Sequence, residues 1–138
     1  MFPFALKHCG NSLVISDFQY HQEDAEAGNP YNTTFTIAVV SEQFRGVSEC
    51  EYDIKEFAKF ANQINELYEF HRFQVELREI CYGSHVSFDM DRTGHITISG
   101  ELFGHAMIHS MKFEFNADQT SLKPFANSLK QVYKVSKF

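Results

Sequence analysis

At 138 residues the chain has room for one globular domain of about 100–200 residues, so residues 1–138 are read as a single domain. Hydrophobic residues at 43% and charged residues at 22% exclude a disordered tail, a collagen and a coiled coil. The net charge of −6 comes from residues 1–70, where four Lys/Arg stand against eleven Asp/Glu, and this field disfavours nucleic acid and membrane as partners.

Taken in order, the N-terminus from Met1 to Leu6 is apolar, but Lys7, His8 and Asn11 interrupt it before an h-region of signal-peptide length develops. No apolar run approaches the roughly 20 residues of a membrane span, so a cytoplasmic protein is expected. Leu13 to Phe18, Thr33 to Val40 and Phe44 to Tyr52 read as strands. In the last of these Phe44, Gly46, Ser48, Cys50 and Tyr52 alternate with Arg45, Val47, Glu49 and Glu51. Between the first two strands, Gln22 to Asn32 reads as a long irregular loop with Gly28-Asn29-Pro30 as its breaker.

Asp53 opens a helix whose apolar stripe is Ile54, Phe57, Ala58, Phe60, Ala61, Ile64, Leu67 and Tyr68, and Glu56 completes a capping-box pattern. Strands follow at Phe73 to Leu77, Val86 to Met90 and Ile96 to Gly100, the last two joined by the turn Asp91-Arg92-Thr93-Gly94. A final long strand carries Met107, His109, Met111, Phe113 and Phe115 on one face. A second helix from about Thr120 bears Leu122, Phe125, Ala126, Leu129, Val132 and Tyr133, with Pro124 in its first turn. No internal repeat is visible. The pattern predicts an α+β fold: a single antiparallel β-sheet of about six to eight strands with two helices packed on one face. Its buried face includes Leu77, Phe88, Ile98 and Phe113, which meet Phe57, Ile64, Leu122 and Leu129.

Seven histidines raise the question of a metal. His105 and His109 share one strand face by parity but stand about 13 Å apart at about 3.3 Å per residue, too far for one ion. His85 and His95 flank the Asp91 to Gly94 turn and could meet across a hairpin with His105, but no cysteine or carboxylate stands at ligand spacing. No Ser lies in a G-x-S-x-G elbow, and the glycines form neither GxGxxG nor a P-loop. Cys9, Cys50 and Cys81 are odd in number and lack a CxxC pair, so they read as reduced, buried thiols. Same-face acids such as Glu49 with Glu51, or Asp89 with Asp91, occur on most solvated sheets. No catalysis, cofactor, metal or disulfide is expected.

A protein-recognition surface has better support. Tyr20, Glu23, Asp24, Glu26 and Tyr31 mix aromatic and acidic groups in one loop, and with Glu49 and Glu51 they are the residues expected to meet a basic partner. Lys123, Lys130, Lys134 and Lys137 are read as a solvated helix face with cations near its C-terminus. The alternative is a small-ligand or metal-sensing module without catalysis.

The stretch Gly94-His95-Ile96-Thr97-Ile98-Ser99-Gly100-Glu101-Leu102, then Met111-Lys112-Phe113-Glu114-Phe115 and Asp118-Gln119-Thr120-Ser121-Leu122, resembles the C-terminal signature of the WapI-like immunity proteins. The likeness extends back through Phe44-Arg45-Gly46 and the helix at Asp53, over roughly residues 34–133, and leaves the loop at 20–32 outside. The resemblance implies a protein made in the bacterial cytosol that binds and blocks a cognate toxin domain delivered by neighbours. Such toxins are often nucleases with a basic cleft, so a cationic toxin domain is the implied partner. The resemblance supplies no contact residues, and a homo-oligomer is left open.

Overall fold

Four strands and a long helix, then four strands and a long helix: the chain makes the same passage twice in the computed structural model, which describes residues 3–132. The elements are β1 (Phe4–His8), β2 (Asn11–Tyr20), a short α1 (Gln22–Glu26), β3 (Thr33–Ser41), β4 (Phe44–Tyr52), α2 (Ile54–Tyr68), β5 (Gln74–Arg78), β6 (His85–Met90), β7 (His95–Phe103), β8 (Ser110–Asp118) and α3 (Gln119–Leu129). Strands β1 to β4 form one antiparallel sheet in chain order, and β5 to β8 form a second. The expected single sheet is therefore two sheets of four. Alternation tells which face of a strand is buried, but it is silent on which strands pair across a 15-residue helix. The duplication escapes the sequence for a similar reason, because burial pattern recurs in the two halves without a recurring set of residues.

Helix α2 starts at Asp53, whose side chain accepts from the Lys55 N–H, and buries Ile54, Phe57, Phe60, Ala61, Ile64 and Leu67 at helical spacing. In α3 the buried set is Leu122, Phe125, Ala126 and Leu129. Pro124 stands in the second turn of α3 rather than the first, where the hydrogen bond it forgoes is to the carbonyl of the exposed Thr120. Val132 is buried as expected, while Tyr133 lies outside the described residues. The helices touch: the Asn65 side chain donates to the carbonyls of Ala61 and Ala126, both at 3.0 Å, and Gln119 Nε2 donates to the Tyr68 carbonyl at 2.7 Å.

Rather than covering one face of one sheet, the helix pair serves both sheets, with α3 against β1 and β8 and α2 against β5. Phe57 of α2 packs on Phe4, Phe18 and Phe35 of the first sheet, and the next turn places Phe60 on Phe88 of the second sheet and Phe125 of α3. The abundance of phenylalanine is thus explained by a line of rings that joins the two halves through α2. Leu77, Phe88, Ile98 and Phe113 are buried as the alternation predicts.

The sheets meet where β4 crosses the strand ends of the second sheet. A Cβ on Gly46 would lie 2.6 Å from the Met111 sulfur, so a larger residue there would have to push the methionine side chain aside. Further along, the Phe103 N–H donates to Ser84 Oγ at 2.9 Å, Ser84 pairs with Ser48 Oγ at 2.7 Å, and Ser48 donates to the Phe103 carbonyl at 2.8 Å. This closed circuit satisfies four polar groups at a buried crossing and fixes β4 against β7.

Two aspartates close the second half. Asp91 accepts from Thr93 Oγ1 and N–H and from the His95 N–H in the β6–β7 turn, and Asp118 caps α3 by accepting from the Ser121 N–H and Oγ. These hydrogen bonds, from Thr93 at Asp91 and from Ser121 at Asp118, hold both carboxyls below their ordinary value of 3.8. A lowered folded pKa contributes stability that is fully present above the unfolded value and is lost as pH falls through the folded value. Denaturant midpoints measured against pH are therefore expected to fall below about pH 4, and Asp118→Asn with Asp91→Asn should flatten that acid limb. An unchanged limb in the double variant would show that neither turn carries the linkage.

Candidate partner-binding site

The inward positions of β2, Leu13 and Ile15, lose their phase at a bulge. Ser16 pairs with Thr36 and Gln19 with Thr34, which leaves Asp17 and Phe18 as two residues opposite Phe35 alone. Phe18 turns into the core, with its ring centroid 4.8 Å from that of Phe57. Asp17 adopts a left-handed φ of 53°, which aspartate tolerates better than most residues, and lines a cleft on the outer face of the first sheet. That cleft of about 400 Å³ is bordered by Asp17, Thr34, Thr36, Glu49 and Glu51, with Cys81 and Tyr82 along one side. No Lys or Arg lines it, and none of its three carboxylates joins an ion pair among the described residues.

Its far wall is held by a residue that is 1% exposed, Glu79. One carboxylate oxygen accepts from the N–H groups of Tyr82, Gly83 and Ser84 at 2.7, 2.7 and 3.1 Å; the other accepts from Cys81 at 2.8 Å and from Glu51 of β4 at 3.1 Å. The residue 79–84 turn is therefore wound around one side chain and tied by it to the first sheet. The backbone adds a bond from the Ile80 N–H to the Glu51 carbonyl at 2.9 Å. Cys50 lines the cleft from beneath, and burial, reinforced by Glu79, pushes its thiol up to about 12. The thiol of Cys81 is also raised, first by desolvation and then by Glu51 and Glu79. Both cysteines are thus protonated at neutral pH, the opposite of what a nucleophile needs. The expectation of buried thiols holds for Cys50 alone, since Cys9 and Cys81 are exposed, both in turns between strands.

The seven residues expected to meet a partner fall into two groups. Glu49 and Glu51 share the outer cleft with Asp17. Tyr20, which pairs with the buried Thr33, faces the other side, and with Glu26 it borders a second cleft of about 380 Å³ that also contains Asp53 and Lys55. Glu23, Asp24 and Glu26 line a shallow depression beside His21, and Tyr31 is 46% exposed. The loop expected over Gln22 to Asn32 contains α1, so these acids stand on a helical turn, where Gln22 donates to Glu26 at 2.9 Å. Tyr20 is half-buried against the core.

The histidines do not converge. His85 pairs with Glu101 at one end of the β6–β7 hairpin and His95 with Asp118 at the other. His105 and His109 share no strand face, because β8 begins only at Ser110 and His105 belongs to a 3-10 turn. No group of three or more His, Cys, Asp or Glu that could hold a metal occurs among the described residues.

Asp17, Glu79 and Tyr82 were not singled out by the pattern, yet two of them left a trace in it. Val75 and Leu77 put position 79 on the inward face, so a glutamate there requires buried donors. Leu13, Ile15 and Phe18 cannot share one face without an extra residue, which marks the bulge that turns Asp17 outward.

Fold and clefts together define a two-sheet α+β module with an open, acidic surface on its N-terminal half. The Immunity protein WapI-like family matches residues 8–135, and the chain belongs to this family, which makes it a member of a generally non-catalytic class. The match includes residues 20–32, which the sequence resemblance had left outside. No curated protein matches. Among solved structures, a chain of the Trypanosoma bruciei MRP1/MRP2 structure is similar in fold, with a TM-score of 0.54 and 10% identity over 97% of this chain and 83% of that one. No helix among the described residues is long and apolar enough to cross a membrane.

Proposed function

We propose that this protein is an immunity protein that binds a cognate, cationic toxin domain and blocks it stoichiometrically in the bacterial cytoplasm. The observation that carries the reading is the family match over residues 8–135. Charge supports it: the first 70 residues hold eleven acids, and α1 and the outer cleft present six of them, Asp17, Glu23, Asp24, Glu26, Glu49 and Glu51. Such a field accelerates encounter with a basic surface and disfavours wrong partners.

The experiment pairs the protein with the toxin domain encoded directly upstream of its own gene. Reversing Glu23, Asp24 and Glu26 to Lys should slow association and flatten its salt dependence while leaving the fold intact, since all three are exposed. Truncating Tyr31 or Tyr20 should instead act on dissociation. Wild-type protein that neither binds the neighbouring toxin nor protects cells from it would end the immunity reading. Unchanged rates in all five variants would remove the Tyr20 to Tyr31 segment from the interface.

A further inference from the structure

The connection from β7 to β8 displays apolar side chains on an unfavourable backbone. The Gly104 N–H donates to the His109 carbonyl at 2.8 Å and closes the connection into a loop. Within it, Ala106 (φ 54°) and Met107 (φ 60°) sit in the left-handed region, which glycine enters freely and other residues enter at a cost. Met107 is 54% and Ile108 73% exposed. Burial does not account for these residues, and stability alone would favour glycine at 107 and a polar side chain at 108.

The loop has a definite neighbour. Because Ser48 donates to the Phe103 carbonyl, the residues on either side of it in β4, Val47 and Glu49, stand beside the root of the loop and face away from the second sheet. Val47 is itself 65% exposed. On the other flank the Tyr82 hydroxyl pairs with His105 Nδ1 at 3.2 Å, and Tyr82 lines the cleft that holds Asp17, Glu49 and Glu51. Exposed apolar side chains thus stand on two borders of the acidic cleft, Val47 beside Glu49 on β4 and Met107 with Ile108 in the loop that His105 ties to Tyr82.

We propose that Met107, Ile108 and Val47 form the apolar anchor of the toxin-binding surface, with the outer cleft receiving a lysine or arginine of the same toxin domain. The proposal rests on the immunity reading above and moves the energetic centre of the contact from α1 to the β4 and 104–109 face. Charge selects the occupant. A second copy of this chain would bring a further net charge of −6 toward Asp17, Glu49 and Glu51, whereas a cationic domain brings the counter-charge that no Lys or Arg of the cleft lining provides. An apolar centre beside desolvated charge is the arrangement in which a few side chains carry most of an affinity.

The probe is the catalytically inactivated toxin domain encoded upstream, measured by surface plasmon resonance against purified wild type and variants. Met107→Gly and Ile108→Ser together should speed dissociation by about thirty-fold or more. Met107→Gly alone should raise the melting temperature, because glycine relieves the left-handed position, so weaker binding cannot be assigned to unfolding. Asp17→Asn with Glu49→Gln should act chiefly on the association rate and its salt dependence. If wild type binds and the loop variants dissociate at the wild-type rate, this surface is wrong and the immunity reading stands. If wild type does not bind, both fall. A dimer of the protein alone that Ile108→Ser disperses would assign these apolar side chains to a second copy and overturn the proposal.

Discussion

Phe57→Ala is expected to cost about 3–5 kcal/mol, a large share of the roughly 5–15 kcal/mol that holds a domain of this size folded. The side chain is fully buried, and its ring lies 6.0 Å from Phe4, 4.8 Å from Phe18, 5.2 Å from Phe35 and 5.7 Å from Phe60. Those neighbours come from β1, β2, β3 and α2, so they are set by four separate backbones and cannot collapse together into the space left behind. The cost therefore includes the cavity as well as the lost transfer energy. Phe57→Leu, which keeps much of the volume, should lose well under half as much. Urea midpoints of the two variants measure the difference. A loss below about 1 kcal/mol for the alanine variant would mean that α2 does not bridge the two sheets in the way described.

Replacing Glu79 should be almost as damaging for the opposite reason, since the site is polar. Five backbone N–H groups converge on its two oxygens. Alanine would leave them without an acceptor in a place that water reaches poorly, and about 3 kcal/mol or more should be lost. The informative variant is Glu79→Gln, nearly identical in shape. Its amide keeps one acceptor oxygen and turns an NH2 toward N–H donors, so it should recover little of the loss. Hydrogen exchange locates the effect: protection of the amides of residues 81–84 should collapse in Glu79→Gln while α2 and α3 keep theirs in proportion to global stability. Full protection of those four amides in the glutamine variant would refute the staple. Since Cys81 and Tyr82 wall the outer cleft, this substitution should also weaken partner binding without touching a contact residue.

Periodicity in the chain sufficed to place both long helices, the cap at Asp53, most strands, the turn at Asp91 to Gly94 and the buried set Leu77, Phe88, Ile98 and Phe113, while the cap at Asp118 emerged only from the structure. Each of these depends on residues close in sequence, through hydrogen bonds spanning two to four residues or through a repeating burial phase. The acidic bias of the N-terminal half was equally legible, because charge sums regardless of fold.

Only the tertiary structure decided that eight strands make two sheets rather than one, since strand pairing across a helix is a choice among non-local contacts that alternation does not rank. It also divided the expected partner residues, sending Glu49 and Glu51 to the outer face with Asp17 and leaving Tyr20 and Glu26 on the other side. A bulge of two residues in β2 and one buried carboxylate at position 79 produced that cleft. Their effects depend on partners as far away as Glu51 and Thr36, brought within reach only when the chain has closed on itself.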